Sequence, residues 1–124
     1  MLTIDEMQAT IEEIAATLPD AFFAQLNGGI LLLEDTVLSP EAQDNDLFTM
    51  GEYCEDPLLG NYIVLYYGSF AEICQDMTPE DIRAEIRDTL LHEFTHHLES
   101  LAGERGLEIA DREELAAYLA DNRR

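Results

Sequence analysis

Leu90-Leu91-His92-Glu93-Phe94-Thr95-His96-His97 is the stretch on which the reading of this 124-residue chain turns. All three histidines of the protein lie inside it. The surrounding sequence predicts a long helix. Thr78 is placed as N-cap, Pro79 as first helical residue and Asp81 three after the cap, a combination that satisfies free backbone N–H groups at a helix start. Apolar residues then recur at Ile82, Ile86, Leu90, Phe94, Leu98 and Leu101, and Gly103 is expected to stop the helix after Ala102. At about 100° per residue His92, His96 and Glu99 fall nearly opposite that apolar stripe.

His92-Glu93-Phe94-Thr95-His96 is an H-E-x-x-H motif. Two histidines four apart on a helix project from one face and can share a metal ion, with the intervening glutamate beside it. Neutral imidazole nitrogens suit Zn²⁺, and three protein ligands leave a fourth position open for water. Glu93 takes the role of base toward that water and proton donor to a leaving amine. His97 sits toward the apolar flank and is read as packing or support for a ligand. With no fourth histidine, the third ligand must be a carboxylate. Glu108 ranks first, because the chain can turn back after Gly103 and Gly106; Asp111 ranks second and Glu99 third. Glu108 and Asp111 form an E-x-x-D pair able to supply one ligand and one acceptor for a ligand imidazole N–H.

Outward from this helix, the pattern is α+β in a single domain spanning 1–124. Ile4, Met7, Ile11, Ile14 and Leu18 keep helical spacing, and Thr3 with Glu6 fits a capping box. Residues 21–26 are read as a further short turn or helix. Three strands are expected, at residues 30–35, 47–54 and 61–67, the last densest in aromatic and β-branched residues. Gly68-Ser69 is expected to close the third strand, followed by a short helix over 70–74. A final helix is expected with Asp111 as its cap. Cys54 and Cys74 form no C-x-x-C pair, and the N-terminus has no basic segment leading into an apolar one, so a cytoplasmic protein with reduced thiols is expected.

Composition narrows the function classes. Asp plus Glu number 27 against 6 Arg and no Lys, for a formal charge of −21. Such a chain repels a phosphate backbone and an anionic membrane surface, so neither nucleic acid nor membrane is expected as a partner. The 47% hydrophobic content is ample for a folded core. A peptide or protein substrate is expected, with basic peptides favoured by the charge. Arg83 and Arg87 are read as pairing locally with Glu80, Glu85 and Asp88.

Residues 90–97, with Leu47-Phe48-Thr49-Met50-Gly51-Glu52-Tyr53 and Tyr62-Ile63-Val64-Leu65-Tyr66-Tyr67, resemble a family of short bacterial zinc metallopeptidases with a minimal zincin-like fold. The resemblance covers most of the chain. It implies an N-terminal helix, a small three-stranded sheet, the long motif helix and a short C-terminal helix. It also implies His92 and His96 as ligands, Glu93 as catalytic base, Tyr62–Tyr67 as the edge strand beside the substrate, and peptide-bond hydrolysis. Many members carry Gly directly after His-His-x; here that position is Glu99, which prolongs the helix by about a turn. Two other classes compete with the peptidase. One is a metal-binding or regulatory module without turnover. The other is a metal-dependent endoribonuclease, which the Glu after the first His and the absence of basic surface both oppose.

Overall fold

A computed structural model describes residues 1–40 and 47–105. Helix α1 (Ile4–Ala16) is followed by a 3-10 turn (Asp20–Phe23), strands β1 (Gly29–Leu33), β2 (Gly51–Asp56) and β3 (Gly60–Tyr66), then helices α2 (Tyr67–Ile73) and α3 (Pro79–Arg105). The architecture is α+β. Thr3 caps α1 through a reciprocal box: its hydroxyl accepts from the Glu6 N–H at 3.1 Å, and its own N–H donates to Glu6 Oε1 at 2.8 Å. Thr78 caps α3 in the expected way, accepting the Asp81 N–H at 3.1 Å.

The sheet order is β1-β3-β2, with β1 parallel and β2 antiparallel to β3. This corrects the strand assignment: residues 62–67 contribute the central strand, not the edge, and Tyr67 already belongs to α2. Ile63, Val64 and Leu65 are all buried, the continuous apolar run of a strand with neighbours on both sides. β2 is the edge that faces α3. It also starts later than expected, at Gly51, because residues 47–49 are engaged at an isolated bridge, Leu38 to Phe48, away from β3. β1 ends at Leu33, short of Asp35. β2 and β3 form a hairpin whose turn is closed by Asp56 Oδ1, which accepts the Leu58 and Leu59 N–H groups at 2.7 and 2.9 Å. Gly60 follows at φ +83°, a conformation costly for any residue with a Cβ.

The core lies between one face of this sheet and α1 and α3. Met7, Ile11 and Ile14 of α1 meet Ile82, Ile86, Leu90, Phe94 and Leu98 of α3 in one cluster. Phe94 anchors the middle of the motif, with its ring centroid 5.6 Å from Phe22 and 5.2 Å from Phe23. The third strand ends at Tyr66, and the short helix expected over 70–74 starts earlier, at Tyr67, so that Gly68 and Ser69 lie inside α2; Ser69 is buried and donates to the Val37 carbonyl at 3.3 Å. Gly103 does not stop α3, which continues to Arg105; one glycine costs a helix only about 1 kcal/mol relative to alanine. Arg83 pairs not with its own helix but with Glu13 of α1, at 2.8 Å. The expected Asp111-capped helix lies outside the described residues. Among the described residues, no helix is long and apolar enough to cross a membrane.

Candidate metal centre

Helix α3 buries Phe94, Leu98 and their row, which turns His92 and His96 out to solvent. Their rings stand nearly perpendicular, at 89°, and their Nε2 atoms approach to 3.2 Å. Two nitrogens at about 2.0–2.1 Å from a tetrahedral zinc lie about 3.3–3.4 Å apart. The pair therefore has the separation that two zinc ligands require, on the exposed side of the helix where an ion can enter.

Glu93 lines the same groove but lies deeper, at the junction between α3 and β2, and only 6% of it is exposed. Burial pushes its carboxyl above the ordinary value of 4.5; the neighbouring His92 and His96 pull it down, Glu52 pushes it up, and the Tyr53 backbone N–H donates to it. That donor is available because of strand parity. The Tyr66 N–H donates to the Met50 carbonyl at 3.0 Å. With the register Gly51↔Leu65, the backbone groups of Glu52, Cys54 and Asp56 therefore face β3. Those of Gly51, Tyr53 and Glu55 face away from it.

His97 is fully buried. Its Nε2 lies 2.7 Å from the Ala24 carbonyl and its Nδ1 2.9 Å from the Tyr53 hydroxyl. A carbonyl can only accept, so Nε2 carries the proton, and in the neutral ring Nδ1 accepts from the Tyr53 O–H. Burial lowers the His97 pKa below 6.5, against the opposing pull of the Ala24 carbonyl and Glu55, and this favours the neutral ring.

Between α3 and the free edge of β2 runs a groove of about 690 Å³. Gly51, Glu52, Tyr53 and Glu55 form one wall, and His92, Glu93, His96, Glu99 and Ser100 the other. A second hollow of about 360 Å³ continues it past Thr49, Met50, Asp88 and Thr89, sharing Gly51, His92 and Glu93. Ser100 donates to Glu55 Oε1 at 2.6 Å across the far end. Among the described residues, neither hollow is lined by an arginine. Gly51 is packed tightly between β3 and α3: a Cβ there would stand 3.1 Å from Thr89 Cγ2 and 2.9 Å from the Val64 carbonyl oxygen.

The structure thus brings His92, His96 and Glu93 to one groove, with Glu99 along its wall. Among the described residues, no group of three His, Cys, Asp or Glu side chains is placed to share a metal. Glu108 and Asp111 lie outside the described residues. Tyr53, which bonds both Glu93 and His97, does not stand out in the sequence, although its odd-numbered place between Gly51 and Glu55 is the available signal once β2 is known to be an edge.

A sequence model of zincin-like metallopeptidases matches residues 47–116. The chain belongs to that family. The matched segment spans β2, β3 and the motif helix, the elements that build the zincin-like groove. Among solved structures, a conserved hypothetical protein from Thermus thermophilus is similar, at 32% identity and a TM-score of 0.71. The match covers 82% of this zincin-like chain and 99% of that one. Comparison with curated proteins finds no match.

Proposed function

We propose that the protein is a zinc-dependent peptidase whose metal is held by His92 and His96 and whose proton-transfer group is Glu93. The observation that carries this reading is the 3.2 Å approach of the two Nε2 atoms beside a buried glutamate, at the mouth of a groove with a free strand edge. Zinc, when bound, supplies Lewis acidity that polarises a carbonyl and lowers the pKa of water to about 7. Glu93 accepts a proton from the attacking water at its carboxylate and passes it to the leaving amine nitrogen. Its upward-shifted pKa brings it nearer the value at which one group serves both roles at neutral pH. Among the described residues no strand pairs with the outward backbone groups of Gly51 and Glu55, and an extended peptide added alongside β2 would bond to them. Glu52, Glu55 and Glu99 along that path favour a basic peptide. We assign the third ligand to Glu108, ahead of Asp111. Glu99 ranks behind both, because it lines the groove without grouping with the histidine pair.

The test measures zinc by calorimetry and hydrolysis of a peptide library. It compares the wild type with H92A/H96A, E93Q and single alanine variants of Glu99, Glu108 and Asp111. The wild type is expected to bind one zinc and cleave; the double variant loses both. E93Q keeps the zinc and loses about 10²–10⁴-fold in rate. A wild type that binds zinc and cleaves nothing would make the protein a metal-binding module instead.

A further inference from the structure

Among the described residues, β2 is hydrogen-bonded to a neighbouring strand along one side only. On its other side it is tied to α3 at the rim by the Ser100–Glu55 bond and, deeper in, by Tyr53. This residue meets the helix twice: its backbone N–H reaches the Glu93 carboxylate, and its hydroxyl reaches His97 Nδ1 at 2.9 Å. His97 is in turn held at 2.7 Å by the Ala24 carbonyl, just after the 3-10 turn. The ring of Tyr53 leans on that of His97, with centroids 5.2 Å apart. An uncharged, fully buried imidazole bonded at both nitrogens is a rigid anchor, since neither bond can be exchanged for one to water without opening the core.

We propose that Tyr53 and His97 form a strap tying the edge strand to the motif helix, and that both are positioning residues for Glu93. The Tyr53 hydroxyl bond holds the strand at the depth where its own N–H meets the carboxylate. Glu93 is thereby fixed in one orientation while the outward groups of Gly51 and Glu55 on either side stay open. The inference rests on the peptidase reading only for its catalytic consequence; the strap is a statement about the protein alone.

Amide hydrogen exchange on the full chain tests it. In the wild type, the outward Tyr53 amide is expected to exchange more slowly than the outward amides of Gly51 and Glu55. Y53F keeps the ring and removes the hydroxyl. It is expected to speed exchange at the Tyr53 amide roughly tenfold, the scale of one lost hydrogen bond, with Ile63 and Leu65 unchanged. H97N, which keeps an acceptor near the place of Nδ1, is expected to retain most of the protection. In the zinc-loaded protein, Y53F lowers kcat with KM and zinc affinity unchanged. Unchanged exchange at Tyr53 in Y53F would overturn the strap. So would equal acceleration at Ile63 and Leu65, which would mean a general loss of stability. A wild type that cleaves no peptide removes the peptidase reading and leaves the exchange result to decide the strap by itself.

Discussion

Replacing Gly51 by alanine probes the tight packing of the edge strand against β3 and the motif helix. The new Cβ would lie 2.8 Å from Leu65 Cδ2, 2.9 Å from the Val64 carbonyl oxygen and 3.1 Å from Thr89 Cγ2. Unstrained carbon contacts fall at about 3.5–4.0 Å, so the overlap with Leu65 is about 0.7 Å. Leu65 is fully buried and cannot swing clear, and Val64 is held in the central strand between its neighbours. The strand must therefore move outward. Overpacking of this kind costs about 1–3 kcal/mol, and the reduced freedom of the unfolded chain returns about 0.4–1 kcal/mol. A net loss of about 1–2 kcal/mol corresponds to a fall in Tm of about 3–10 °C for a chain of this size. Thermal denaturation followed by circular dichroism reads the fall. Calorimetry should show zinc binding unchanged, because His92 and His96 both belong to α3 and keep their spacing when the strand shifts. A variant that melts at or above the wild-type temperature would refute the reasoning, for that is what alanine does where space is open.

Two further outcomes are expected. The folded protein holds His97 below its ordinary pKa of 6.5, so between the two values the unfolded chain binds more protons and stability rises with pH. The gain is complete above about pH 6.5 and is lost as the pH falls below it. Urea midpoints from pH 5 to 7.5, taken as the difference between wild type and H97N, should show that slope, and a flat difference would remove His97 as its source. For substrates, matched basic and acidic peptides should be cleaved unequally at low salt, basic ones faster. The gap should narrow as the Debye length shrinks from about 30 Å at 0.01 M to about 8 Å at 0.15 M; equal rates at 0.01 M would assign the acidity of the groove to solubility alone.

The local signals in the sequence carry through to the structure. Thr3, Glu6 and Thr78 cap the helices expected of them, and the apolar row from Ile82 to Leu101 is the buried side of α3. The opposite placement of His92 and His96 follows from that periodicity alone. What periodicity cannot show is the partner of an element. Tyr62–Tyr67 has the composition of any good strand, and whether it lies at the centre or the edge depends on β1 pairing across some thirty residues. Arg83 has acidic neighbours on its own helix, yet it reaches Glu13 of α1 because packing brings that carboxylate to 2.8 Å. Gly103 carries a stop signal that the rest of α3 outweighs. The role of Tyr53 is hidden for the same reason as the edge: its two bonds to α3 depend on a sheet order that no short stretch encodes.

Along α3, the exposed histidines and the buried glutamate differ in how freely evolution can alter them. His92 and His96 stand in solvent, where exchanges typically alter stability by less than about 0.5 kcal/mol. A descendant that breaks the histidine pair and keeps the scaffold for another purpose is thus a single substitution away. Glu93 is the reverse case: a buried carboxylate, where a neutral glutamine would keep an acceptor for the Tyr53 N–H without burying a charge and would suit folding at least as well. Drift under selection for folding alone erodes that glutamate and does not restore it. Among diverged copies of this scaffold, a glutamate that outlasts its histidines would mark a recent loss of the histidine pair, and a scaffold that has lost all three would mark an old one.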